Sequence, residues 1–179
     1  MTRTGEELPI VHLKAGEMHY ADRPTLVVTV LGSCLSVILY NRRLGIGGIC
    51  PGMLPSCGNQ KTCRGDCTEK FRYVDCAIRE MVKSFDRLGV KRSELEVKCF
   101  GGADMFSRPI EKSGILSVGR QNAETAEEVM KSEGLTLITR DVGGLQGRKI
   151  LFYTHTGEVL LKRLTNRHCH SDLTEAPTA

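Results

Sequence analysis

Apolar positions along this chain follow two different periods. In TLVVTVLGSCLSVILYN, Thr25 to Asn41, two β-branched runs at 25–31 and 35–40 read as strands on either side of a Gly32-Ser33-Cys34 corner. Short strands are expected within 9–20. A further strand is expected over 44–50, where glycines permit close approach of backbone or ligand. The period then changes. In FRYVDCAIREMVKSFDRLG, Phe71, Val74, Ile78, Met81, Phe85 and Leu88 recur at three- and four-residue steps, which predicts an amphipathic helix ended by Gly89. LEVKCF (95–100) reads as a strand leading into the loop GGADMFSRP. A second helix is expected over roughly 119–132, closed by Gly134. LTLITRDV, RKILFYT and EVLLKRL read as three closing strands, the last two joined by THTG as a hairpin. Strands outnumber helices without alternating with them, so the expected class is α+β. One domain is expected over 1–165, with 166–179 a disordered tail.

Composition narrows the function classes. The 179 residues are 40% hydrophobic and 26% charged, as in an ordinary soluble globular chain. Aromatics make up 5% with no Trp, so the core is expected to be aliphatic. The net charge of +4 is spread along the chain without interleaved aromatics, which argues against a nucleic-acid surface. The N-terminus lacks an apolar signal region, and no apolar run approaches the ~18 residues of a membrane span. A cytoplasmic location is expected, where disulfides are rare. The eight cysteines then need another account, as nucleophile, metal ligands or core thiols.

From the residues alone, Cys34 reads either as a small buried hydrophobe or as a nucleophile lifted out of the sheet by its corner. Cys57, Cys63, Cys67 and Cys76 fall within twenty residues. Four thiolates suit tetrahedral zinc, but the spacing is not that of a C-x2-C knuckle, so free thiols or an adventitious disulfide stand beside a metal. Met105 and Phe106 in GGADMF read either as core or as a rim contact for a partner. VGGLQGRK (142–149) precedes a strand rather than a helix, so its glycines read as turn chemistry and not as a phosphate cradle. Arg120, Gln121 and Asn122 open the second helix, either against a substrate carboxamide or as a solvated helix start.

Read whole, the sequence shows a chain of linked blocks. VHLKAGEMHYADRPTLVVTVLGSCLSVILYNRR, GGIC-x-x-MLP, FRYVDCAIREMV, ELEVKCFGGADMF, VGRQNAE and DVGGLQGRKILFYTHTGEVLLKRL resemble the chemoreceptor glutamine deamidase family, CheD, in order over about residues 10–165. The resemblance implies mixed β-sheets packed as a sandwich with flanking helices, like the cysteine-hydrolase domain of cytotoxic necrotizing factor. It also implies a chemistry: a thiolate attacks a receptor glutamine carboxamide, ammonia leaves, and water releases glutamate from the thioester. Cys34 matches the family nucleophile. The implied partners are methyl-accepting chemoreceptors and the chemotaxis phosphatase CheC, with the GGADMF loop as the candidate interface. No cofactor, nucleic acid or membrane insertion is implied.

Two positions depart from the family pattern. The family carries a histidine in H-x-M/L-L-P, and here Pro51 holds its place. The family also carries a threonine six residues before the cysteine, and here that position is Val28. The neighbouring Thr29 is expected to face away from the site if the strand is regular. A thiol at its ordinary pKa is only a few per cent thiolate near neutrality, and positioned acid–base groups contribute on the order of 10²–10⁴. Catalysis is therefore expected to be impaired. For each of the five histidines, His12, His19, His155, His168 and His170, a solvated surface role is expected, and His19, just ahead of the nucleophile strand, comes first among them as a substitute base. Cys50 reads as a core thiol or as a redox partner for Cys34. Three functions follow from these readings: receptor deamidase, inactive binding module for chemoreceptors or CheC, and thiol or metal sensor.

Overall fold

The computed structural model describes residues 7–58, 68–104 and 116–164. Among the described residues nine strands form: β1 (Ile10–His12), β2 (His19–Ala21), β3 (Leu26–Leu31), β4 (Leu35–Asn41), β5 (Ile46–Gly52), β6 (Leu95–Gly101), β7 (Leu137–Val142), β8 (Arg148–Tyr153) and β9 (Val159–Arg163). Two α-helices accompany them, α1 (Val74–Arg87) and α2 (Val118–Ser132). One sheet has the order β1-β3-β8-β9 and the other β2-β5-β4-β6-β7. Parallel pairs (β1 with β3, β6 with β7) sit among antiparallel ones, so both sheets are mixed. The α+β class expected from the residue pattern, and the mixed-sheet sandwich that the family resemblance implies, are the observed architecture.

Alternation along the strands builds two cores. Val27 and Leu31 of β3, Ile38 of β4, Ile49 of β5, Phe100 of β6, and Ile150 and Phe152 of β8 interlock between the sheets. The sheets press close enough at Gly47 that a Cβ there would lie 2.5 Å from the Phe152 ring. The intervening positions of the five-stranded sheet, among them Val37, Leu39, Val97 and Cys99, meet the apolar faces of α1 and α2. The central strand β4 is therefore buried along its whole length, which accounts for the apolar run Val37-Ile38-Leu39-Tyr40 on both of its faces.

Both helices stop where the sequence places a glycine. Val90 N–H reaches the Phe85 carbonyl and Gly89 N–H the Asp86 carbonyl, with Gly89 at φ 69°. Leu135, Met130, Gly134 and Lys131 repeat that Schellman arrangement at the end of α2. Helix α1 begins at Val74, because Lys70–Arg72 form a separate 3₁₀ turn that carries Phe71. Ser117 caps α2, its hydroxyl accepting from Arg120 N–H at 3.3 Å.

Candidate active site: a thiol on the corner between the sheets

β3 belongs to the four-stranded sheet and β4 to the five-stranded sheet, so residues 32–34 are the corner where the chain crosses between layers. That corner is pinned from two directions. Gly102 N–H donates to the Cys34 carbonyl and Ala103 N–H to the Gly32 carbonyl, both at 2.8 Å. From α2, the Asn122 amide donates to the Ser33 carbonyl at 2.9 Å and to the Met53 carbonyl at 3.1 Å. Cys34 itself is half-buried and packs against the inter-sheet core. Burial pushes its thiol pKa up, opposed by a hydrogen bond from its own backbone N–H.

Pro51 lies on the same sheet face. It pairs with Ser36, and the alternation that sends Ile49 into the inter-sheet core sends Pro51 there as well. By register it is the diagonal neighbour of Cys34, a relation that puts Cβ atoms about 7–8 Å apart. This is within reach of a longer side chain, but proline offers only carbon. Ser36, directly opposite, is fully buried and its hydroxyl has no partner. The strand tolerates proline because the Pro51 carbonyl points to Gly16 N–H, away from β4. The missing N–H therefore falls on the side where β2 has already ended.

Among the described residues, no imidazole lies beside the thiol. His19 pairs with Ile49, which pairs with Ile38. That places it two strands and four residues from Cys34, a Cα separation of about 16 Å at ordinary strand spacings. Its pKa is lowered by burial and its Nε2 is buried without a partner. His12 pairs with Val28 on the outer face of the four-stranded sheet. His155 accepts through its carbonyl from the Tyr40 hydroxyl, at the far end of β4. His168 and His170 lie outside the described residues.

Two expectations are corrected. Thr29 does not face away: it pairs with Ile150 and is buried on the inter-sheet face, while Val28, opposite His12 and Leu151, points outward. The register of β3 is continuous and no bulge is involved. Val28, which holds the family threonine's position, is therefore the residue turned away from the inter-sheet face. Cys50 is no redox partner, because its side chain joins the helix-side core on the opposite face of β5 from Pro51. Burial pushes that thiol up to about 12. It is the core thiol of the two readings.

Cys57 N–H and Cys76 N–H both donate to Oδ1 of Asp75, which brings two of the four clustered cysteines together by their backbones. Cys63 and Cys67 lie outside the described residues, as do Met105 and Phe106. Gly143 and Gly144, at φ 75° and 72°, make a turn as expected. Beside them is a buried group that sequence reasoning passed over. The Arg148 side chain is 1% exposed and donates to Asp141 Oδ1 at 2.6 Å and to the Gly143 carbonyl at 2.6 Å. Asn122, taken with its neighbours as a solvated helix start or a substrate contact, is fully buried. The signal was present in the helical spacing, since Asn122, Ala126, Val129 and Met130 share the buried face of α2.

A half-buried thiol presented on a corner between two packed sheets defines a candidate cysteine-nucleophile site. Residues 53–163 match the family model described as CheD chemotactic sensory transduction. A probable chemoreceptor glutamine deamidase, CheD 2, of Geobacter sulfurreducens is 43% identical over 96% of this chain and 100% of its own length. A probable chemoreceptor glutamine deamidase CheD of Maridesulfovibrio salexigens is 39% identical over 92% and 97%. The chain belongs to the CheD family. A hypothetical protein, YfiH, of Bacillus licheniformis has a solved structure that covers 75% of this chain and 60% of its own. At TM-score 0.45 and 13% identity, it is too distant to carry an argument. Among the described residues, no helix is long and apolar enough to cross a membrane.

Proposed function

We propose that this chain is a chemotaxis protein that engages glutamine-bearing segments of chemoreceptors at the Cys34 corner, with its deamidase chemistry reduced by Pro51. The CheD relatives support the substrate class. The observation that carries the reduction is Pro51 on the face of Cys34, with no imidazole beside the thiol among the described residues. In the full reaction, the thiolate sulfur bonds to the carboxamide carbon and the C–N bond breaks. The departing nitrogen takes a proton to leave as ammonia, and water then cleaves the thioester to glutamate and thiol. Both the initial deprotonation and the protonation of the leaving group need a shuttle beside sulfur, a contribution on the order of 10²–10⁴. The test incubates a receptor cytoplasmic fragment with the chain and follows glutamine-to-glutamate conversion by mass spectrometry. Slow conversion that Pro51→His accelerates at least tenfold, and that Cys34→Ser abolishes, is expected. Conversion by the unaltered chain at the rate of Pro51→His overturns the reading.

A second reading is a binding module for chemoreceptors or for the phosphatase CheC, acting in the cytoplasm without chemistry. The unpartnered Ser36 hydroxyl opposite Pro51 favours it, because that strand pair presents the thiol's face with no proton-accepting partner across from the serine. Receptor binding that persists in Cys34→Ser, together with zero conversion by both the unaltered chain and Pro51→His, would select it.

A further inference from the structure

Asn122 reaches the nucleophile through one peptide unit. Its Nδ2 spends both protons on carbonyls, Ser33 on the corner and Met53 at the exit of β5, so one amide ties α2 to the two segments that flank the thiol. Its Oδ1 is buried with no partner. An amide held at 0% exposure with its acceptor unspent carries a desolvation cost, offset only by the two hydrogen bonds that its Nδ2 donates to the segments flanking the thiol. The helix bearing it packs tightly on the corner's other support: a Cβ at Gly119 would meet the Gly102 and Ala103 carbonyl oxygens at 2.6 Å, and those residues hold the corner from the other side.

The carbonyl that Asn122 grips belongs to the Ser33–Cys34 peptide. That peptide is planar and trans, so fixing its C=O direction fixes the opposite direction of the Cys34 N–H. We propose that Asn122 is a positioning residue for Cys34, which holds the Ser33 carbonyl so that the Cys34 N–H stays turned onto its own sulfur. Donation to the carbonyl also polarises the peptide and makes that N–H a better donor. The Cys34 N–H is the group that draws the thiol pKa down against burial, so losing its orientation leaves desolvation unopposed. The inference rests on Cys34 being the reactive thiol, but its test needs no receptor. It therefore stands or falls separately from receptor deamidation.

The experiment measures iodoacetamide alkylation of Cys34 against pH, with peptide mapping to follow that cysteine alone, in the unaltered chain, Asn122→Ala, Asn122→Ser and Val129→Ala. Asn122→Ala is expected to raise the apparent thiol pKa by about half to one unit, which slows alkylation roughly three- to tenfold below that pKa and leaves the high-pH plateau in place. Asn122→Ser, which keeps one short donor, is expected to fall between, and it replaces the alanine variant if that chain does not fold. Val129→Ala lowers Tm from the same buried face of α2 and is expected to leave the profile unmoved. An Asn122 profile that superimposes on the unaltered one while Tm falls, or an equal shift in Val129→Ala, overturns the proposal.

Discussion

Gly101→Ala probes how tightly the corner is built. Gly101 ends β6 opposite Leu35, at φ 111°, a backbone region that residues with a side chain rarely adopt. A Cβ there would run into the Cys34 carbonyl oxygen and lie 3.2 Å from the Leu35 Cα. Both neighbours are backbone, so no side chain can swing aside. Overpacking of this kind costs about 1–3 kcal/mol, and forcing a positive φ adds about 1–2 kcal/mol. A total near 3 kcal/mol corresponds to a Tm decrease of about 6–12 °C for a chain of this length. Relief by backbone shift would have to move the Cys34 carbonyl off Gly102 N–H, their 2.8 Å hydrogen bond being the nearest restraint. The variant should therefore lose stability and alkylate Cys34 at an altered rate together, read by urea unfolding and by peptide-mapped labelling. A stability change within 0.5 kcal/mol with unchanged labelling would refute the claim that Gly101 and the thiol corner are in mutual contact.

Other perturbations test separate parts of the structure. Arg148→Met removes a buried guanidinium and strips the Gly143 and Gln146 carbonyls of their donor. Asp141 keeps its ion pair with Arg163, so a loss of about 1–3 kcal/mol in urea unfolding is expected from the two stripped carbonyls, and a neutral outcome would mean that the buried cation does not hold the 143–147 turn. Cys50 and Cys99, both pushed up to about 12 by burial, should resist a thiol–disulfide exchange reagent at pH 8 until denaturant is added; rapid reaction of either would contradict the core assignment. Those two thiols also set an alkaline limit. Their folded pKa lies above the ordinary 9.0, so the folded state binds more protons between pH 9 and 12. Stability should be unaffected by them below pH 9 and fall as pH rises towards 12, and a flat profile there would rule out their burial as protonated thiols.

The strands and helices were legible because burial here is periodic. β4 reads as a strand through its run Val37–Tyr40, apolar on successive residues because the strand is covered on both faces, and α1 and α2 announce their ends through Gly89 and Gly134. Pro51 was legible as a departure, and the register places it on the face of the thiol, which pattern alone could not do. Thr29 was misread for a physical reason. Its facing was counted from Val28 as the site-facing residue, whereas Val28 points outward and Thr29 shares the inter-sheet face with Val27 and Leu31. The opposed facing of Cys50 and Cys34 needed the sheet register for the same reason, since adjacency to Pro51 in sequence means the opposite face in a strand. Asn122 and Arg148 stayed hidden because a polar side chain on a buried face looks like surface until its partners, carbonyls with no sequence signature, are known.

The proposal that Cys34 is a nucleophile slowed by Pro51 is tested most directly by thiol reactivity towards a glutamine-shaped electrophile. Labelling of Cys34 by a chloroketone analogue of glutamine at neutral pH is predicted to be slow in the unaltered chain. It should become at least tenfold faster in Pro51→His, where the new imidazole faces the unpartnered Ser36 hydroxyl across the strand pair. Equal rates in the two proteins would contradict it.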